Sequence, residues 1–94
     1  MARHLIVTGR VQGVGYRQWM CNEALALGLT GWVRNRADGS VEAVVDGAGE
    51  PLRLMIERAH RGPPAAKVAA VAVSESTDLE STDLFSSFEC RRSV

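Results

Sequence analysis

Three glycines and a Tyr-Arg pair lie close together between Gly9 and Arg17, a stretch that reads Gly-Arg-Val-Gln-Gly-Val-Gly-Tyr-Arg. Glycine allows positive φ and a close approach of the backbone, so the N–H groups of such a loop can converge on one point. If a helix begins there, its N-terminus also favours an anion. Arginine in the first helical turn adds a planar guanidinium that can bind two phosphate oxygens at once. The stretch is therefore typical of a phosphate-binding loop.

Two nucleotide-binding motifs are excluded for this loop. The segment Gly13-Val-Gly-Tyr-Arg-Gln18 lacks the third glycine of the dinucleotide fingerprint, and no Lys-Ser/Thr pair follows it as in a Walker loop. The glycine pattern alone fits equally well a structural turn between a strand and a helix, followed by a solvated arginine.

The whole string from Gly9 to Arg17 resembles a signature of the acylphosphatases, small enzymes that hydrolyse the carboxyl-phosphate bond of acyl phosphates. A second stretch from Gly31 to Val41 reads Gly-Trp-Val-Arg-Asn-Arg-Ala-Asp-Gly-Ser-Val and resembles the other signature of that family, at the expected separation. The segment Phe88-Glu-Cys-Arg-Arg92 is similar to the final strand of the family. The resemblance covers almost the whole chain.

The resemblance implies a role for the residues of both signatures. Arg17 would clamp the phosphoryl oxygens, and Asn35 would orient the attacking water. Acyl phosphate would be the substrate and inorganic phosphate the product and competitor, with no metal ion or other cofactor. The backbone N–H groups that would bind phosphate belong to Gln12, Gly13, Val14, Gly15, Tyr16 and Arg17.

The side chains of the second signature are compatible with this chemistry. A carboxamide has both an acceptor and donors, so Asn35 can fix the direction of a water molecule, although in isolation it also fits a turn residue before a hairpin. Because an acyl phosphate has a good carboxylate leaving group, positioning and charge stabilisation can suffice without a strong base. The side chain of Gln12 can instead stabilise the loop, and we do not assign it a catalytic role.

Length and composition predict a single domain over residues 1–94, because 94 residues are too few for two cores. Hydrophobic residues make up 46% and charged residues 23% of the chain, as in ordinary globular proteins. The 11 basic and 11 acidic residues cancel, so neither a nucleic-acid nor a membrane partner is expected. No signal peptide or spanning segment is evident. We therefore expect a cytoplasmic monomer.

The remaining reactive side chains and one repeat are interpreted as structural. Cys21 and Cys90 are expected to be buried free thiols, since their positions fit neither a disulfide framework nor a CxxC metal site. No motif gives His4 or His60 a catalytic role. The five residues at 75–79 recur at 80–84, and this tandem copy is predicted to lengthen a solvated surface loop.

Hydrophobic periodicity predicts the order strand, helix, strand, strand, helix, strand, with a short fifth strand at the end. Asp38-Gly39 between two alternating runs indicates a hairpin. This order, like the resemblance, implies an α+β ferredoxin-like βαββαβ sandwich, in which two helices cover one face of an antiparallel sheet. The predicted strands are 4–11, 29–36, 40–46, 67–74 and 88–91, and the predicted helices are 16–27 and 51–61.

Many unrelated functions use this fold, so two other classes of function remain open. One is a catalytically silent binding or regulatory module. The other is an RNA-binding sheet, which is disfavoured because the chain has five aromatic residues and no strand with the stacking rings of that class. Detectable hydrolysis of an acyl phosphate would separate the enzyme from both.

Overall fold

Five strands and two helices follow one another in the predicted order. The computed structural model describes residues 2–75 and 88–91. Except for Glu75, the tandem copy predicted to be a surface loop lies outside the described residues. The elements are β1 (Ala2–Arg10), α1 (Tyr16–Ala26), β2 (Thr30–Asn35), β3 (Val41–Asp46), α2 (Gly49–Ala59), β4 (Lys67–Glu75) and β5 (Phe88–Cys90).

The strands form one sheet in the order β4-β1-β3-β2-β5. The four longer strands pair antiparallel, and β3 lies opposite β2 through the predicted hairpin. The short fifth strand differs, because β5 runs parallel to β2 with Gly31 opposite Phe88. The ferredoxin-like fold is confirmed, with one parallel pair added at an edge that was expected to be antiparallel.

The hydrophobic core lies between the sheet and the two helices. Alternation along the central strands directs Leu5 and Val7 of β1 into this layer, where both are fully buried. The two helices supply the other side of the core, with Met20 of α1 and Met55 of α2 fully buried. Within the described residues, neither helix has the length and apolar character that crossing a membrane requires.

On the other face of the sheet, side chains of the strands pair with one another. Glu42 accepts hydrogen bonds from His4 at 2.7 Å and from Nε of Arg34 at 2.8 Å. Burial alone would raise the pKa of Glu42, but these two partners hold it below its usual value. Trp32 is only 6% exposed, because the guanidinium groups of Arg34 and Arg91 lie 4.8 and 4.9 Å from its ring centre.

The two cysteines differ in exposure. Cys21 on α1 is buried, as predicted, whereas Cys90 is exposed. The prediction of a buried thiol at Cys90 is therefore wrong. The physical reason is its place on β5, a three-residue strand at the edge of the sheet.

Gly31 allows β2 and β3 to approach closely. Its φ is +130°, and a Cβ built there would lie 1.9 Å from the carbonyl oxygen of Val44. Any side chain at this position would both strain the backbone and collide with the neighbouring strand. The pairing of β2, the strand that carries Asn35, thus requires the glycine at position 31.

We expect Gly31→Ala to lower the free energy of unfolding by about 3 kcal/mol or more, since backbone strain and the collision add. Gly28→Ala is the matched control, because Gly28 has a φ of +72° but no described atom within 4 Å of the place that a methyl group would take. Its loss should be about 1 to 2 kcal/mol, from backbone strain alone. Urea unfolding measures both values, and equal losses would contradict the close approach at Gly31.

Candidate active site

The loop between β1 and α1 brings the beginning of a helix to the surface. Gly13 and Gly15 have φ values of +75° and +81°. Gly15 is the N-cap of α1 in the left-handed conformation, so no side chain there bonds to the first N–H groups of the helix. The first intrahelical bond runs from the amide of Trp19 to the carbonyl of Gly15 at 2.9 Å. The first-turn N–H groups, together with the helix dipole, therefore favour an anion at this end.

Tyr16 anchors this loop in the core. Its side chain is 1% exposed, and its hydroxyl donates a hydrogen bond of 2.6 Å to the carbonyl of Ala59 at the end of α2. Burial of the phenol raises the pKa of Tyr16 above its usual value. The ring of Trp19 packs against it at a centroid distance of 5.3 Å. Because its side chain is held in the core, Tyr16 can contribute only its backbone to the surface of the loop.

Gln12 connects the loop to the β2–β3 hairpin. Its Nε2 donates to the carbonyl oxygens of Arg36 at 2.7 Å and of Ser40 at 2.8 Å. The hairpin is itself held by Asp38, whose Oδ1 accepts from the hydroxyl of Ser40 at 2.6 Å and from its amide at 2.9 Å. These hydrogen bonds lower the pKa of Asp38. These contacts support the interpretation of Gln12 as a loop-stabilising side chain.

A cavity of about 290 Å³ opens between the loop, the first turn of α1 and the end of β2. Both signatures contribute to it, so residues from distant parts of the chain come together at one place. Its charge pattern suits an anion, since the first turn of α1 carries no acidic residue. The lining residues are Val11, Gly13, Gly15, Tyr16, Arg17, Gln18 and Asn35.

Arg17 lies in the first turn of α1 and is partly buried at the wall of the cavity. Its Nη1 donates a hydrogen bond of 3.0 Å to the carbonyl oxygen of Arg91, just after β5. The amide of Arg91 in turn donates to the carbonyl of Val33 on β2 at 2.8 Å. The position of the guanidinium therefore depends on the docking of β5 beside β2.

Asn35 is the last residue of β2 and also lines the cavity. Its Oδ1 is buried and has no hydrogen-bond partner among the described residues. A buried acceptor without a donor is costly and uncommon in folded proteins. Since Asn35 lines the cavity, this acceptor lies next to the space that a ligand or a water molecule would occupy.

The sequence prediction and the cavity agree on most residues. Of the predicted residues, Gly13, Gly15, Tyr16, Arg17 and Asn35 line the cavity. Gln12 and Val14 do not, although Gln12 holds the loop in place. Val11 and Gln18 also line it and were not predicted, and their adjacency to the loop was the only signal that the sequence offered.

The described part of the site offers no evident protein ligands for a metal ion. Among residues 2–75 and 88–91, no group of three or more His, Cys, Asp or Glu side chains is placed to hold one. The positive charge at the cavity wall comes instead from the guanidinium of Arg17.

Comparison with known proteins identifies the family. The model of the acylphosphatase family matches residues 3–90. An acylphosphatase of Rhodopseudomonas palustris is 58% identical over 69 residues, which cover 73% of this chain and 70% of that protein. One of Trichormus variabilis is 50% identical over 91 residues, covering 97% and 86%. The crystal structure of acylphosphatase from Bacillus subtilis matches with a TM-score of 0.85 and 39% identity, covering 97% of this chain and 99% of that chain. The chain thus belongs to the acylphosphatase family.

Proposed function

We propose that residues 1–94 act as one domain that hydrolyses the carboxyl-phosphate bond of acyl phosphates to a carboxylate and inorganic phosphate, without a metal ion. The observation that carries the proposal is that residues of both signatures line one cavity of about 290 Å³. A helix N-terminus and the Arg17 guanidinium suit the phosphoryl group, and the buried Asn35 Oδ1 suits the water that attacks it.

The phosphoryl group binds to the start of α1. Its oxygens accept hydrogen bonds from backbone N–H groups between Gln12 and Arg17, and from the guanidinium of Arg17. A guanidinium has five N–H donors, so the bond from Nη1 to the carbonyl of Arg91 fixes its orientation while other N–H groups can meet the phosphoryl oxygens. Donors placed in advance are worth more as charge develops in the transition state.

The water molecule donates a hydrogen bond to Oδ1 of Asn35 and attacks phosphorus on the side opposite the leaving group. The new bond joins the water oxygen to phosphorus, and the bond between phosphorus and the carboxyl oxygen breaks. The carboxylate leaves with the electron pair, and the proton of the water passes to a phosphate oxygen or to solvent. Because the leaving group is a weak base, orientation of the water suffices.

The proposed enzyme acts as a cytoplasmic monomer with a small-molecule substrate. The balance of 11 basic and 11 acidic residues supports a protein without a nucleic-acid or membrane partner. The cavity binds the phosphoryl group that all acyl phosphates share, so we assign the substrate by class.

Hydrolysis of benzoyl phosphate by the purified protein, measured with and without a chelator, tests the proposal directly. We expect equal rates in both conditions, because the positive charge of the site belongs to Arg17. Inorganic phosphate should inhibit competitively, since it occupies the same donors. Failure to hydrolyse acetyl, benzoyl and carbamoyl phosphates, or loss of activity on chelation, would contradict the proposal.

We expect Asn35→Ala to lower kcat by about 100-fold or more, since the water then lacks its orienting acceptor. Inhibition by inorganic phosphate should be nearly unchanged, because the donors to phosphate remain. Asn22→Ala is the control, because Asn22 is an exposed carboxamide on α1 outside the cavity lining. A folded Asn35→Ala variant with the turnover of the Asn22→Ala control would remove Asn35 from the mechanism.

Arg17→Lys separates charge from geometry. Lysine keeps the charge but lacks the planar fork of arginine. We therefore expect kcat/KM to fall by a factor that corresponds to a loss of roughly 2 to 4 kcal/mol of transition-state stabilisation. Inhibition by inorganic phosphate should also weaken. Arg53→Lys is the matched control on the exposed surface of α2, where the arginine pairs with Glu57 at 2.9 Å. Circular dichroism first establishes that each variant is folded. Unchanged kcat/KM and phosphate inhibition in Arg17→Lys would mean that positive charge alone suffices.

A further inference from the structure

Cys21 and Cys90 have no part in the proposed hydrolysis, yet they meet where α1 packs against β5. The Sγ of Cys21 lies 4.0 Å from the carbonyl oxygen of Phe88, the first residue of β5. Phe88 packs in the same core cluster as Cys21. Because alternate residues of a strand point to one face, Cys90 points to the same side as Phe88, toward α1. Cys90 therefore lies on the face of β5 that packs against the helix carrying Cys21.

The two thiols differ in access to solvent. Cys21 is 5% exposed, whereas Cys90 is exposed at the edge of the sheet. Burial, and then the neighbouring Cys90, raise the pKa of the Cys21 thiol, so Cys21 stays protonated and unreactive toward reagents in solution. An oxidant therefore reaches Cys90 first, and the facing helix α1 carries the second thiol.

We propose that Cys21 and Cys90 form a peroxide-sensitive site, in which oxidation joins α1 to β5 through a disulfide bond. The Cys90 sulfur attacks one peroxide oxygen, the oxygen–oxygen bond breaks, and a sulfenic acid and one water result. The Cys21 sulfur then attacks the Cys90 sulfur. A sulfur–sulfur bond forms, the sulfur–oxygen bond breaks, and the hydroxyl leaves with the Cys21 proton as a second water. Two thiols are oxidised and one peroxide is reduced to two waters.

The position of this pair gives the bond a structural consequence. The strand β5 is only three residues long. Apart from its contact with α1, it pairs with β2 alone among the described strands. A disulfide there would link points about 70 residues apart and so restrict the unfolded chain. It would also fix the strand that leads to Arg91, whose carbonyl accepts the hydrogen bond from Arg17. Oxidation thus holds in place the strand end on which the orientation of Arg17 depends.

The test treats the reduced full-length protein with hydrogen peroxide and follows its mass, its free thiols and its thermal unfolding. We expect a product two hydrogens lighter, monomeric on a non-reducing gel and without free thiols, which dithiothreitol returns to the starting protein. Its Tm should rise by about 5 °C or more. Hydrogen exchange of the Arg91 amide, which donates a hydrogen bond of 2.8 Å to the Val33 carbonyl, should become slower.

Two variants assign the chemistry to the pair. In Cys90→Ser, a conservative change at an exposed position, the Cys21 thiol should survive the same treatment. In Cys21→Ala, Cys90 should gain oxygen or link two chains, with no rise in Tm. If the unsubstituted protein instead gains oxygen at Cys90 while Cys21 keeps its thiol, or forms dimers through Cys90, the proposal is wrong. Rapid oxidation of Cys21 in Cys90→Ser would also overturn it.

Discussion

The hydroxyl of Tyr16 and the carbonyl of Ala59 make the buried contact on which the arrangement of this molecule depends. Tyr16 is at once the first residue of α1, a core side chain and part of the proposed phosphate-binding loop. Its 2.6 Å hydrogen bond ties the beginning of one helix to the end of the other. A loop rich in glycine would lose much entropy on binding an anion if it were mobile. Anchoring by Tyr16 means that this ordering is largely complete when the protein folds.

Gln12 and Arg91 extend this order to the other two walls of the site. The carboxamide of Gln12 bridges two carbonyl groups of the hairpin, and so sets the distance from the loop to the strand that ends in Asn35. The carbonyl of Arg91 orients Arg17, while its side chain lies over Trp32 on the far face of the sheet. The core, the hairpin and the edge strand thus each hold one part of the cavity.

Local patterns in the sequence were sufficient for most of the fold. The hydrophobic periodicity of the two helices and the Asp38-Gly39 pair act over a few residues, and the predicted helices and hairpin are confirmed. The resemblance of the two signatures to those of a known family predicted one site that contains both Arg17 and Asn35. In the structure, both residues line one cavity. The support from Arg91 was not predictable in this way, because it comes from a backbone carbonyl, which every residue type has. The exposure of Cys90 was missed because alternation predicts to which face of the sheet a side chain points. It does not predict whether the strand lies at the centre or at the edge of the sheet.

The hydrogen bond between Arg17 and Arg91 also bears on how the site forms during synthesis. These residues are 74 positions apart, and Gln12 and Ser40 are 28 apart. Contacts of such separation form only after long loops have closed, which slows folding. A nascent chain can complete the hairpin and place Gln12 while Arg91 is still untranslated, but it cannot yet orient Arg17. The proposed anion-binding loop is therefore built early, and the hydrogen bond from Arg17 to the Arg91 carbonyl forms only after the last strand has been translated.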